Sequence, residues 1–319
     1  MKRIKVVSVS GGKDSTACAL LALEKYPNED IRFVFADTGN ENEITLEYIN
    51  DYLAKVLDRE ITTVKADFTS QLKHKRNVAI NKWAKDGVDP YWINTVINNL
   101  KPTGNPFLDL CKWKGRFPSR RAQFCTEQLK IIPITEYMVR LMDERSLLAG
   151  GGNEIVESWQ GVRRDESENR KAAKCWEVVG SDYWIRRPIV TWTAQQTVDY
   201  ILSKGVKLNP LYSQGCSRVG CFPCINSRKD EIFNISERYP EHIDRIEQWE
   251  KEVMLSSKRG GATFFASCGD FDSPKDAMAA GNIRQAVEWS RTSHGGKQYD
   301  MIKCLLELPQ CSSAYGLCE

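Results

Sequence analysis

Six consecutive residues, Ser10-Gly11-Gly12-Lys13-Asp14-Ser15, concentrate the types that hold an oxyanion. Two glycines let the backbone turn tightly and approach a charged oxygen. Ser10 and Ser15 bring hydroxyl donors, and Lys13 a point positive charge. The stretch before them, Ile4 to Val9, reads as a short buried strand. The stretch after, Ser15 to Leu23, is rich in Ala and Leu and reads as a helix. A loop in that position aims the unpaired N–H groups and positive dipole end of a helix at an anion. The spacing is not the Walker pattern, which needs four residues between the first Gly and Gly-Lys.

Three further constellations carry chemistry. Asp37 follows the apolar run Ile31 to Ala36, where an acid at a strand's carboxyl end can take a ribose hydroxyl or a magnesium ion. Gly161-Val162-Arg163-Arg164, followed by Arg170, reads as an anion clamp, because guanidinium groups fork onto phosphate or sulfate oxygens. Cys216, Cys221 and Cys224 are spaced C-x4-C-x2-C with Gly and Pro punctuation, and Cys125 is the candidate fourth thiolate. That donor set suits a soft metal, with zinc and a [4Fe–4S] cluster both open. Cys18, Cys111, Cys175, Cys268 and Cys304 stand alone and read as small apolar fillers. His74, His242 and His294 sit with none of these motifs and read as surface or satisfied side chains.

Eleven cysteines, an odd number, argue against a disulfide scaffold at this length. The opening Met1-Lys2-Arg3-Ile4-Lys5-Val6-Val7 has too short an apolar part for a signal-peptide core, and no apolar run approaches the ~20 residues of a membrane helix. A cytoplasmic protein without membrane partners is the expectation. The formal net charge of +3 is unevenly spread. From Lys73 to Lys130 there are 12 Lys/Arg against 4 Asp/Glu, with Trp83, Tyr91, Trp92, Phe107, Trp113, Phe117 and Phe124 interleaved. Such a stretch suits a polyanion with stackable bases, or equally a solvated face over an aromatic core.

The first third alternates strand and helix. Strands read at Ile4–Val9, Ile31–Ala36 and Ile61–Val64, with helices at Ser15–Leu23 and Glu43–Leu57. Ile155–Trp159 and Trp184–Ile189 complete the sheet, and Thr191 or Thr193 caps a helix over 193–202. The pattern predicts an α/β fold: a parallel sheet of five or six strands with helices on both faces. Residues 1–228 form the nucleotide-binding domain in this reading, with a basic aromatic insert at 70–124 and a cysteine loop at 215–224. Residues 229–319 form a mainly helical C-terminal region.

Taken in order, the motifs resemble the phosphoadenosine-phosphosulfate (PAPS) reductase family of the PP-loop, or adenine nucleotide α-hydrolase, superfamily. The matching stretches are Val7–Ser15, Phe35–Gly39, Cys125–Pro133, Gly161–Arg170 and Arg187–Cys224, within roughly residues 1–235. The tail is similar to those of phage-encoded members. The resemblance implies an adenine nucleotide, ATP or PAPS, at the carboxyl edge of the sheet. It implies phosphate binding at Ser10, Gly11, Gly12, Lys13, Asp14 and Ser15, nucleotide binding near Asp37 and Gly161, and anion contact at Arg163 and Arg170. Cluster-bearing members have a cysteine pair before a Leu-Lys-x-x-Pro-like stretch and a later Cys-x-x-Cys. Cys125, Cys221 and Cys224 match; position 124 is Phe, and Cys216 is the natural replacement. The ATP-dependent sulfur-transfer enzymes of DNA phosphorothioation have a similar cysteine set.

Sulfonucleotide reductases carry a nucleophilic cysteine in a Glu-Cys-Gly-x-His segment, and this chain has none. The resemblance therefore points first to an ATP pyrophosphatase that activates an acceptor for sulfur transfer, with Lys13, Asp14 and Mg2+ acting on the phosphates and nucleic acid as an acceptor class. The alternative is a sulfonucleotide reductase using Cys311 or Cys318 with a thioredoxin-like reductant. A third reading is a nucleotide or nucleic-acid-binding protein without turnover. A homo-oligomer is expected.

Overall fold

The structure, a computed structural model, describes residues 3–148, 155–265 and 274–292. Its centre is a six-stranded sheet: β1 (Arg3–Val9), β2 (Asp30–Ala36), β3 (Ile61–Val64), β4 (Ile155–Trp159), β5 (Trp176–Val178) and β6 (Tyr183–Arg186), in the order β3-β2-β1-β4-β6-β5. Five strands are parallel, as the alternation predicts. The edge strand β5 runs antiparallel to β6. This three-residue strand is missing from the sequence reading, since Trp176-Glu177-Val178 is too short to show a period. The last parallel strand covers 183–186 rather than 184–189.

Period-two alternation sorts β1 and β2 onto two faces. Ile4, Val6, Val34 and Ala36 pack with Met138, Ile134 and Leu141 on one side. Val7, Val9, Phe33 and Phe35 pack with Cys18, Ala19, Ile49 and Leu53 on the other. The helices on these faces include α1 (Lys13–Lys25), α2 (Glu43–Glu47), which continues through a π-helical turn (Tyr48–Leu53) into α3 (Ala54–Leu57), and, on the Met138 side, a long helix beginning near residue 132. The insert supplies α4 (Thr69–Val78), α5 (Pro90–Asn99) and α6 (Pro106–Lys114), with a small core of Leu72, Ala79, Trp83, Ile93, Val96 and Leu100.

A short α7 (Phe124–Thr126) runs through a π-helical turn (Glu127–Ile131) into α8 (Ile132–Leu148). Pro133 is the second residue of α8 and follows directly on the π-helical turn. Thr193 caps α9 (Ala194–Ser203) in a capping box with Gln196. The C-terminal helices are α10 (Lys229–Arg238), α11 (Pro240–Met254), α12 (Pro274–Gly281) and α13 (Ile283–Ser290). One core cluster joins Phe68, Phe107, Leu110, Leu211, Phe222, Ile246 and Val287. The helices after residue 228 therefore pack against the insert and the cysteine loop. Trp92 Nε1 donates to the Ser257 carbonyl at 3.1 Å, and Asn99 Nδ2 donates to Ser256 Oγ at 2.8 Å.

Cys18 and Cys111 are buried fillers, but Cys175 is exposed, which corrects its reading as a filler. It lies just before the edge strand β5, where no layer covers it. Cys268, Cys304 and His294 lie outside the described residues. Among the described residues, no helix is long and apolar enough to cross a membrane.

Candidate nucleotide-binding site

β1 ends at Val9 and α1 begins at Lys13, so the six-residue motif is the turn between them. Gly12 occupies the N-cap with no side-chain cap, which leaves the first-turn donors to other partners. Gly11 has a φ of +70°, and a Cβ there would lie 2.9 Å from Thr45 Cγ2. The two serines brace the turn: Ser10 N donates to Ser15 Oγ at 3.0 Å, and Ser15 Oγ donates to the Gly12 carbonyl at 2.9 Å.

Residues about 200 positions away complete the loop. The Lys13 backbone N–H donates to Tyr212 Oη at 3.1 Å, and Lys13 Nζ stands 5.3 Å from the centre of the same ring. Asn209 Nδ2 donates to the Gly11 carbonyl at 3.3 Å and to Thr45 Oγ1 at 3.1 Å. Thr45 Oγ1 donates in turn to the Val219 carbonyl at 2.7 Å. The Asn209-Pro210-Leu211-Tyr212 segment thus ties the cysteine loop to the anion loop.

The segment after β4 closes the other side. A Cβ on Gly161 would meet the Asp14 carbonyl oxygen at 2.5 Å and Ser15 N at 2.8 Å. Arg163, only 3% exposed, donates from Nε to Asp14 Oδ1 at 2.6 Å and also pairs with Asp165. Sequence reading assigned Arg163 to an external anion. In the structure its guanidinium is engaged by two carboxylates, and it fixes the orientation of Asp14.

A cavity of about 310 Å³ opens beside the loop, within the size range of small-molecule sites. Strand ends contribute Val9, Phe35, Ala36 and Ser158; Ile131, Ile134 and Met138 give an apolar wall. Ser10, Ser15 and Gly161 line it too. An apolar wall facing hydroxyl and backbone donors can take a flat ring on one side and an anionic group on the other. Of the expected nucleotide contacts only Ser10, Ser15 and Gly161 line it; Gly11, Gly12, Lys13, Asp14, Asp37, Arg163 and Arg170 do not. Asp37 Oδ2 pairs with Lys65 Nζ at 2.7 Å and its Oδ1 accepts from Gly39 N at 2.8 Å, while Arg170 pairs with Glu166.

Glu41 and Lys130, both in the cavity lining, were missed by sequence reading. Glu41 accepts from Thr38 N at 3.1 Å, Thr38 Oγ1 at 2.6 Å and Asn40 N at 3.2 Å, and burial pushes its pKa up. Lys130 has its pKa raised, chiefly by Cys221, then by Glu41, Cys224 and Cys125. Its fifth-place spacing from Cys125 was the available signal.

Cys125, Cys221 and Cys224 thus all lie within electrostatic reach of Lys130. Burial raises the pKa of Cys125 and Cys221, and Lys130 opposes it in both. Cys216 lines a narrow crevice with Cys221, but its thiol faces Asn234, whose Nδ2 lies 3.7 Å away, and burial raises its pKa to about 12. As placed, the four do not fit a closed tetrathiolate site. Among the described residues, no group of three or more His, Cys, Asp or Glu is arranged to hold a metal ion. Cys311 and Cys318 lie outside the described residues. His242 is buried, with Nε2 3.1 Å from Asn42 Nδ2 and from Glu43 Oε2, which ties α11 to the start of α2.

A glycine-rich loop thus lies at the carboxyl edge of a parallel sheet, closed by Gly161 from the segment after the neighbouring strand. The chain belongs to the phosphoadenosine phosphosulfate reductase domain family, whose model matches residues 4–227. It is 41% identical to an uncharacterised 37.8 kDa protein of Escherichia phage 186, over 99% of this chain and 97% of that one. It is 28% identical to a nin region protein of Escherichia phage lambda, over 61% of each. An adenosine 5'-phosphosulfate reductase of Streptomyces coelicolor is 40% identical over 20% of this chain and 28% of its own. Family members are enzymes, and this chain is one at that general level.

Proposed function

We propose that the protein binds ATP at the 310 Å³ cavity and uses it to adenylate an acceptor for sulfur transfer. The observation that carries this is the closure of the anion loop by Gly161 against the Asp14 backbone, beside an apolar slot at the strand ends. The ring of the nucleotide lies against Ile134 and Met138, and its phosphates run toward Ser10, Lys13 and Ser15. An acceptor oxygen attacks the α-phosphorus. The new P–O bond forms as the bond to pyrophosphate breaks, giving an adenylated acceptor and pyrophosphate. A sulfur nucleophile then displaces AMP. Lys13 and the N–H groups of α1 stabilise the charge that grows on pyrophosphate. Arg163 holds Asp14 so that its carboxylate stays off the phosphates.

Magnesium belongs to this proposal as the companion of the nucleotide, where it would offset phosphate charge. Asp14 and Asp37 are both paired with cations, so its protein ligands are few and no step is routed through it. A thiolate-bound [4Fe–4S] cluster or zinc rests on the donor set alone, and no step uses it. A cytoplasmic location, a homo-oligomer and a sulfur donor are parts of the same reading. The second reading, a sulfonucleotide reductase with a thioredoxin-like partner, is favoured by the local likeness to adenosine 5'-phosphosulfate reductases.

Product analysis separates the two. The protein incubated with ATP and candidate acceptors should release pyrophosphate, with AMP following only when sulfide is added as sulfur donor, and with PAPS and thioredoxin it should release no sulfite. Sulfite release that vanishes in Cys311→Ala or Cys318→Ala would replace the first reading with the second.

A further inference from the structure

Two cations of the basic run at 73–130 turn inward on folding. Lys75 Nζ donates to the Lys112 carbonyl at 2.7 Å, and Lys112 Nζ donates to the Lys101 carbonyl at 2.9 Å. Both are tied to backbone carbonyls of the insert, and Lys112 Nζ also lies 3.8 Å from Glu252 Oε2 of α11. Lys114, Arg116, Arg120 and Arg121 are exposed and, like Lys73, Arg76, Lys82, Lys85 and Lys101, pair with no carboxylate among the described residues; what marks these four is the aromatic ring beside the first two.

Lys114 and Arg116 converge on one ring, and Arg120 and Arg121 follow within a few residues of it. Lys114 Nζ sits 3.7 Å from the centre of the Trp113 ring and 5.9 Å from that of Phe124. Arg116 Cζ is 5.8 Å from the Phe124 ring. A bridge between Ser119 and Ala122 closes a tight turn with Arg120 and Arg121 at its tip. Phe124 then opens the helical run that carries Lys130 and Ile131 into the cavity wall. Lys130 lies six positions beyond Phe124 on this run, no more than about 9 Å at the α-helical rise.

We propose that this stretch, Trp113 to Phe124, is the docking track for a single-stranded nucleic acid that leads toward the nucleotide cavity. The inference deepens the adenylation reading and rests on it for what the strand is brought to. Four exposed cations within eight residues make a positive stretch, which a regularly spaced polyanion matches. A free nucleotide would be satisfied by the anion loop alone, so cations extending beyond the cavity suit a longer chain of phosphates. A half-buried ring among them favours unpaired bases over a stacked duplex. An acidic protein surface would meet the charges but leave Phe124 without a stacking partner.

The test uses the full chain and a fluorescein-labelled single strand of about 20 nucleotides, read by anisotropy. Affinity should fall about fifty-fold between roughly 50 and 200 mM salt, the dependence of about four neutralised phosphates. The triple variant Arg116→Ala/Arg120→Ala/Arg121→Ala should bind at least about tenfold more weakly and lose most of that salt dependence. Phe124→Ala should weaken binding of the strand and spare its salt dependence. Unchanged affinity in the triple variant would overturn the proposal. So would tighter binding of a blunt duplex of the same sequence, or displacement of the strand by polyglutamate at equal charge. ATP binding by calorimetry on the same samples keeps the two readings apart. Strand binding lost in the triple variant while ATP binding is absent from every sample would sink the nucleotide reading and sustain the track.

Discussion

Gly161 and Asp14 touch backbone to backbone: a Cβ on Gly161 would sit 2.5 Å from the Asp14 carbonyl oxygen, a distance real Cβ atoms do not reach. Gly161→Ala must therefore push the segment after β4 away from the start of α1. The expected outcome is a loss of about 1–3 kcal/mol in stability, the usual cost of overpacking. Nucleotide affinity should drop by about tenfold or more as the loop opens. Urea denaturation and calorimetric titration with ATP measure the two effects.

Arg163→Ala removes the cation that Asp14 faces. Side-chain exposure is 4% for Arg163 and 18% for Asp14, so water replaces the lost partner poorly. Stability should fall by about 3 kcal/mol, typical of a buried pair broken on one side. The double variant Asp14→Asn/Arg163→Gln should recover part of that loss, which a double-mutant cycle in urea reads directly.

Tyr212→Phe tests the long-range brace on the loop. The Lys13 N–H loses its acceptor, worth about 1 kcal/mol. Affinity for ATP should shift by about fivefold, with the far-ultraviolet circular dichroism spectrum unchanged.

Much of this arrangement is local in sequence, and that part is legible. The six-residue loop lies between an apolar strand and an Ala-rich helix, and both appear where the pattern puts them. Thr193 is a cap because its hydroxyl and Gln196 are three residues apart. What sequence reading misses depends on distance. Tyr212 and Asn209 reach the loop from across the fold, and nothing in Asn-Pro-Leu-Tyr announces a bond to Lys13 or Gly11. Arg163 looks like an anion clamp because a string of letters does not reveal that Asp14 and Asp165 converge on it. Asp37 sits at a strand end as expected, yet Lys65 from the neighbouring strand's end takes its carboxylate.

Glu250 makes stability depend on pH. It is buried in α11, where its carboxylate accepts from Phe264 N at 2.7 Å and Ile283 N at 3.0 Å, and burial raises its pKa to about 7. The folded state holds this proton more tightly than the unfolded chain. From pH 4.5 to 7 the native form is protonated while the unfolded form is not, so this group's contribution falls as pH rises. Thermal melts of Glu250→Gln should lose that fall, while the wild type keeps it between about pH 5 and 7.

Cysteine labelling distinguishes Cys175 from Cys18 and Cys111. Cys175 is exposed, and Cys18 and Cys111 are buried with pKa values pushed up by burial. Brief treatment with iodoacetamide at pH 8, followed by peptide mass spectrometry, should modify Cys175 and leave Cys18 and Cys111 intact.

The most direct test of the nucleotide site is a calorimetric titration of the full chain with ATP and magnesium, wild type beside Lys13→Ala. Saturable binding of one ATP per chain is expected, weakened about tenfold or more when the Lys13 charge is removed. Equal affinity in the two proteins would place the phosphates elsewhere and contradict the account of the loop.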